Sequence, residues 1–100
     1  MSIINHIIYN DLVDKDYVKN HTNGYDELKD HVKGKNAEWA SSITGINVED
    51  IKKLSTEIAM NQPVGIRIGV ALERHHGGGQ TIRAVTCIPA LTGAWKYVGG

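Results

Sequence analysis

Pro63–Trp95, PVGIRIGVALERHHGGGQTIRAVTCIPALTGAW, is the stretch whose reading decides the fold. Pro63 breaks the helical pattern before it, and Val64, Ile66 and Ile68 then alternate with Gly65 and Arg67, the period-two pattern of a short strand with one buried face. Gly69 ends or bends that strand. A polar run, Glu73-Arg74-His75-His76, leads into Gly77-Gly78-Gly79, after which Ile82, Val85 and Ile88 return to helical spacing ahead of Thr92-Gly93. Pro89 is expected to kink or shorten this last helix. Strand, glycine-rich turn and helix in succession is how α/β proteins set backbone N–H groups and the positive end of a helix against phosphate. The local string GVALERHHGGGQTIR nevertheless contains neither the dinucleotide-binding glycine fingerprint nor a P-loop, and three glycines also permit a tight turn.

Upstream the pattern is helical. Ile3, Ile4, Ile7 and Ile8 recur at helical spacing; Leu12 and Val13 follow, and Asp14 is placed to cap a second short helix through Tyr17 and Val18. After Asn23-Gly24, Tyr25, Leu28 and Val32 share one helical face, with Asp26, Glu27, Lys29 and Asp30 on the other and Gly34 as the stop. Asn36 can cap a further helix in which Trp39, Ala40 and Ile43 face inward before Gly45. Asn47 and the carboxylates Glu49 and Asp50 open the clearest helix, with Ile51, Leu54 and Ile58 as its expected buried stripe. The expected fold is thus an α/β fragment, predominantly helical: about five helices, one short strand at Val64–Ile68, then a glycine-rich turn and a helix. It forms a single partial domain over 1–100, with a helical portion at 1–61 and a strand-turn-helix unit at 63–93. One strand cannot make a sheet, so its partners would lie outside this chain.

The 100 residues include 41% hydrophobic and 22% charged side chains, the balance of a soluble folding domain rather than a disordered one. Eleven basic and eleven acidic residues cancel, which removes the long-range positive field of a nucleic-acid binder. No apolar run approaches the roughly 20 residues of a membrane span, and Met1–Asn10 lacks the layout of a signal peptide. Cys87 is the single cysteine, so no intrachain disulfide or thiolate metal cage forms, and a reducing, cytoplasmic setting is the simplest expectation.

Arg74, His75 and His76 put donors beside the glycine turn, either to hold an anion or as a solvated loop. Arg83, one helical turn beyond Gln80, could point to the same anion or pair with Glu73. Cys87 lies between apolar neighbours and reads as core filler rather than a nucleophile. The five histidines, His6, His21, His31, His75 and His76, show no metal-ligand spacing, and the carboxylate pairs read as solvated helix surface, so neither a metal site nor a catalytic residue is expected.

The segments INHIIYNDLVDKDYVKNHTNGYDELKDHV, AEWASSITGINVEDIKKLSTEIA and PVGIRIGVALERHHGGGQTIRAVTCIPALTGAW resemble, in sequence and in order, a stretch of the prokaryotic molybdopterin oxidoreductases. That family includes formate dehydrogenases, thiosulfate and polysulfide reductases and assimilatory nitrate reductases. The resemblance covers nearly the whole chain. It implies that Gly69, Arg74, His75, Gly78, Gly79, Gln80 and Arg83, which match the family's G-x-x-x-x-R-H-x-x-G-G-Q-type turn and the helix after it, lie against a bis(molybdopterin guanine dinucleotide) cofactor. The family's iron-sulfur region, molybdenum ligand and C-terminal barrel are not found in this sequence, and Cys87 is not at the ligand position. The expectation is therefore a cofactor-binding segment, inactive alone and binding no cofactor by itself, whose partners are the remaining domains or subunits of the oxidoreductase. Two other readings are a stand-alone phosphate or guanine-nucleotide module and a folded remnant without independent activity. Unpaired edges and apolar patches at Val64–Ile68 and on the helices further predict self-association.

Overall fold

The isoleucines near the start build the core. In α1 (Ser2–Tyr9), Ile4, Ile7 and Ile8 fall on one face and are buried, with Ile3 packed at its margin. A turn through Leu12 and Val13 leads to Asp14, whose carboxylate accepts from the Tyr17 N–H at 2.9 Å and caps α2 (Lys15–His21), which contributes Val18 to the core. α3 (Tyr25–His31) follows Gly24 and delivers the fully buried Val32 at its end. Asn5 Nδ2 donates to the Val32 carbonyl at 2.9 Å and ties α1 to that point.

Asn36 caps α4 (Ala37–Thr44) by accepting from the Trp39 N–H at 2.9 Å, and Gly45 ends the helix at φ +73°. Asn47 likewise caps α5 (Val48–Met60) through the Glu49 N–H at 2.9 Å. α4 and α5 share a second, smaller core of Ala37, Ala40 and Ile51, and both pack on α1. A 3-10 turn at Leu72–Arg74 precedes α6 (Gly78–Thr92), which sends Ile88 and Leu91 into the first core; a second 3-10 turn, Ala94–Lys96, follows it.

This computed structural model describes residues 1–99; the single unit expected over 1–100 extends to Gly100, outside the described residues. Among the described residues there is no strand, which overturns the α/β expectation: the fold is all-helical. Val64–Ile68 runs without regular structure because no second segment lies beside it to accept a ladder. Its burial does not alternate by residue either, and together with Val85, Thr86, Pro89 and Trp95 it walls a cleft of ≈ 450 Å³.

Three smaller expectations also change. Trp39 and Ile43 are not inward but 40% and 65% exposed, because Ala37 and Ala40 are the residues α4 packs on α5. In α5 the interior position falls to Ser55 rather than Leu54; its hydroxyl donates to the Ile51 carbonyl at 2.6 Å, so the serine is buried without an unsatisfied group. Pro89 does not shorten α6, which runs on to Thr92 and ends at Gly93, φ +65°.

Two helices meet at His6, whose Nε2 lies 3.0 Å from Thr56 Oγ1 on α5. Burial, and then the nearby Lys52 ammonium, hold its pKa below the ordinary histidine value. The unfolded chain therefore binds this proton more readily, so stability contributed by neutral His6 is present above about pH 6.5 and is lost as the pH falls below it. Chemical denaturation across that range is expected to show the loss in the native chain and a smaller one in His6→Gln. Separately, Asp14→Ala removes a cap and is expected to cost about 0.5–2 kcal/mol in the same assay.

Candidate functional site

The start of α6 has no side-chain cap: where α2, α4 and α5 each use an Asp or Asn side chain, α6 begins, as α3 does, on a glycine at positive φ, Gly77 at +76°, and, as in α1, no acidic residue lies in its first turn. The Gly78 N–H donates to the His75 carbonyl at 2.9 Å, and helical bonding resumes with the Thr81 N–H to the Gly77 carbonyl at 3.1 Å. Between them, the Gly79 and Gln80 N–H groups have no protein acceptor among the described residues and sit at the positive end of the helix.

Arg74, in the turn before α6 beside Glu73, and Arg83, in the second turn of the helix, flank this end, and neither forms an ion pair among the described residues. The alternative pairing of Arg83 with Glu73 is thus not made. Cations beside the positive end of a helix raise its electrostatic energy, and an anion placed there relieves both at once.

The structure divides the residues singled out from sequence into two groups. Gln80 and Arg83 share a face of α6 and open into a cleft of ≈ 510 Å³ between α3 and α6, with Asn23, Glu27 and His31 on the facing side. Gly69, Arg74 and His75 lie on the approach to α6 and do not line that cleft; the Gly69 carbonyl accepts from the Leu72 N–H at 3.5 Å, opening the 3-10 turn. Sequence reading did not associate Asn23, Glu27 and His31 with this region. Only the α3–α6 packing brings them there, and their local pattern is that of an exposed helix face.

The glycines are not equivalent. A Cβ on Gly78 would stand 2.3 Å from the Leu72 carbonyl oxygen and 2.7 Å from Glu73 Cα, both backbone atoms, so the fold requires glycine there. A Cβ on Gly79 would meet nothing within 4 Å, and its backbone is helical, so the fold does not require glycine at that position. Cys87 is a half-buried free thiol at the edge of the same cleft, its Sγ 3.2 Å from the Arg83 carbonyl. The described residues gather no group of three His, Cys, Asp or Glu side chains, and none of their helices is long and apolar enough to cross a membrane.

The comparisons place these helices within larger proteins of one family. No protein-family model matches the chain. It is 40% identical over 98 residues to "Probable oxidoreductase YoaE" of Bacillus subtilis, a match covering 97% of this chain and 14% of that protein. It is 30% identical over 87 residues to formate dehydrogenase H of Escherichia coli, covering 87% of this chain and 12% of that one. The solved structure of acetylene hydratase from Pelobacter acetylenicus has the same fold, with a TM-score of 0.90 and 30% identity over 99% of this chain and 13% of that one. The chain belongs to the molybdopterin oxidoreductase family, as the motif resemblance implied, and spans about one-seventh or less of the length of these relatives.

Gly78→Ala is expected to lower stability by about 1–3 kcal/mol, since two backbone segments must separate to admit the methyl group. Gly79→Ala is expected to leave stability unchanged or raise it by up to about 1 kcal/mol, alanine being the better helix former. Urea midpoints of the two variants, compared at equal m-value, check the contrast.

Proposed function

We propose that this segment faces the cofactor of a molybdopterin-dependent oxidoreductase, and that the form it faces is bis(molybdopterin guanine dinucleotide). Gly69, Arg74, His75, Gly78, Gly79, Gln80 and Arg83 are the proposed contact residues. The observation that carries the reading is the start of α6: free Gly79 and Gln80 amides, no cap, no acid, and arginines without ion pairs. The donor set fits a pyrophosphate-linked cofactor, because guanidinium forks and backbone N–H groups bind phosphate oxygens with charge-assisted hydrogen bonds. Gly79 supports it independently: with open space at its Cβ, glycine there is explained by the close approach of a ligand to the backbone.

When bound, the cofactor supplies molybdenum redox chemistry. The segment's own part is to hold and orient. Arg74 and Arg83 neutralise phosphate charge, the Gly79 and Gln80 amides fix its position, and Gly78 lets the Leu72–Arg74 turn pack tightly enough to present Arg74 and His75 beside the helix start. Gln80 and Arg83 reach the ligand from the α3–α6 cleft, where Asn23 and His31 add donors. Substrate reduction or oxidation is assigned to other segments of the enzyme, and a cytoplasmic setting suits the free thiol of Cys87.

The test exchanges this chain for the matching 98 residues of the Bacillus subtilis relative. Oxidised pterin fluorescence, together with GMP released by acid hydrolysis, then reports whether cofactor is retained and whether it is the guanine dinucleotide. Gly79→Ala and Arg83→Ala are expected to lower both signals several-fold while the exchanged protein stays folded. Pterin without GMP would reject the dinucleotide form; undiminished signals in both variants would reject the contact residues. A stand-alone nucleotide module, which the same free amides also suit, is separated by titrating GDP into the isolated chain: amide shifts confined to Gly77–Arg83 at micromolar GDP would favour it over the cofactor-facing segment.

A further inference from the structure

We draw no further inference here: the strongest candidate, the open cleft of ≈ 450 Å³ that Arg67 and Trp95 help to wall between the extended Val64–Ile68 segment and α6, carries none because nothing in the structure shows what covers it.

Discussion

Asp14 is the joint on which the arrangement turns. Its backbone N–H donates to the Leu91 carbonyl at 2.8 Å, one carboxylate oxygen caps α2 through Tyr17, and the other pairs with Lys96 beyond the end of α6. Lys96, and then the Tyr17 N–H, hold the Asp14 carboxyl below its ordinary value, as expected for a charge kept in use. Gly93 must be glycine for the same reason: at φ +65° it turns the chain out of α6, and a Cβ there would lie 2.7 Å from the Asp14 carboxylate. One residue thus caps a helix near the N-terminus with its side chain and satisfies the Leu91 carbonyl in the last turn of α6 with its backbone, so the end of α6 is fixed against the α1–α2 corner. The face of α6 that carries Gln80 and Arg83 inherits its orientation from that contact.

The other end of α6 is built on the opposite principle. Its C-terminal half is buried among Ile4, Ile7, Val18 and Val32, whereas its first residues lie on exposed surface and are secured only where Gly78 meets the Leu72–Glu73 backbone. A helix held firmly at one end can leave its other end electrostatically unsatisfied, because packing at the far end supplies the stability that a cap would otherwise add. On the proposed reading that is how backbone donors are kept available for a ligand without loss of position. The extended approach from Val64 to Ile68 faces Val85, Thr86 and Pro89 of α6 and Trp95 across a cleft, with no sheet beside it.

What could be read in advance was what is local. Asp14, Asn36, Asn47, Gly45 and Gly93 announce helix boundaries through their own side chains or lack of one, and each does so in the structure. The strand at Val64–Ile68 was misread because alternation describes which side chains are apolar, not whether a second backbone is present to accept the ladder. Trp39 and Leu54 were misplaced for a related reason: periodicity cannot tell a stripe that faces this chain's own core from one that faces something else, and alanines and a serine took the interior positions. The donors around α6 were legible as residue types at a motif. Their division into a cleft pair and an approach group was not, since it depends on α3 packing beside α6.

Two features of the surface then have a common explanation. The start of α6 leaves the Gly79 and Gln80 N–H groups without an acceptor among the described residues, and the outer face of α4 leaves Trp39 and Ile43 exposed. Both are unfavourable for an isolated helical unit, and both lie on elements whose opposite faces are packed. Poor folding would scatter such deficits through the core; here the described residues leave no buried side-chain polar atom unpartnered. The interior is complete while the surface is not. Selection for the fold alone would be free to place Ser or Lys at Trp39 and Ile43 at no cost to packing, whereas Gly77, at φ +76°, is held to glycine by the backbone. That α4 holds a tryptophan and an isoleucine there instead leaves apolar area that the fold itself does not use.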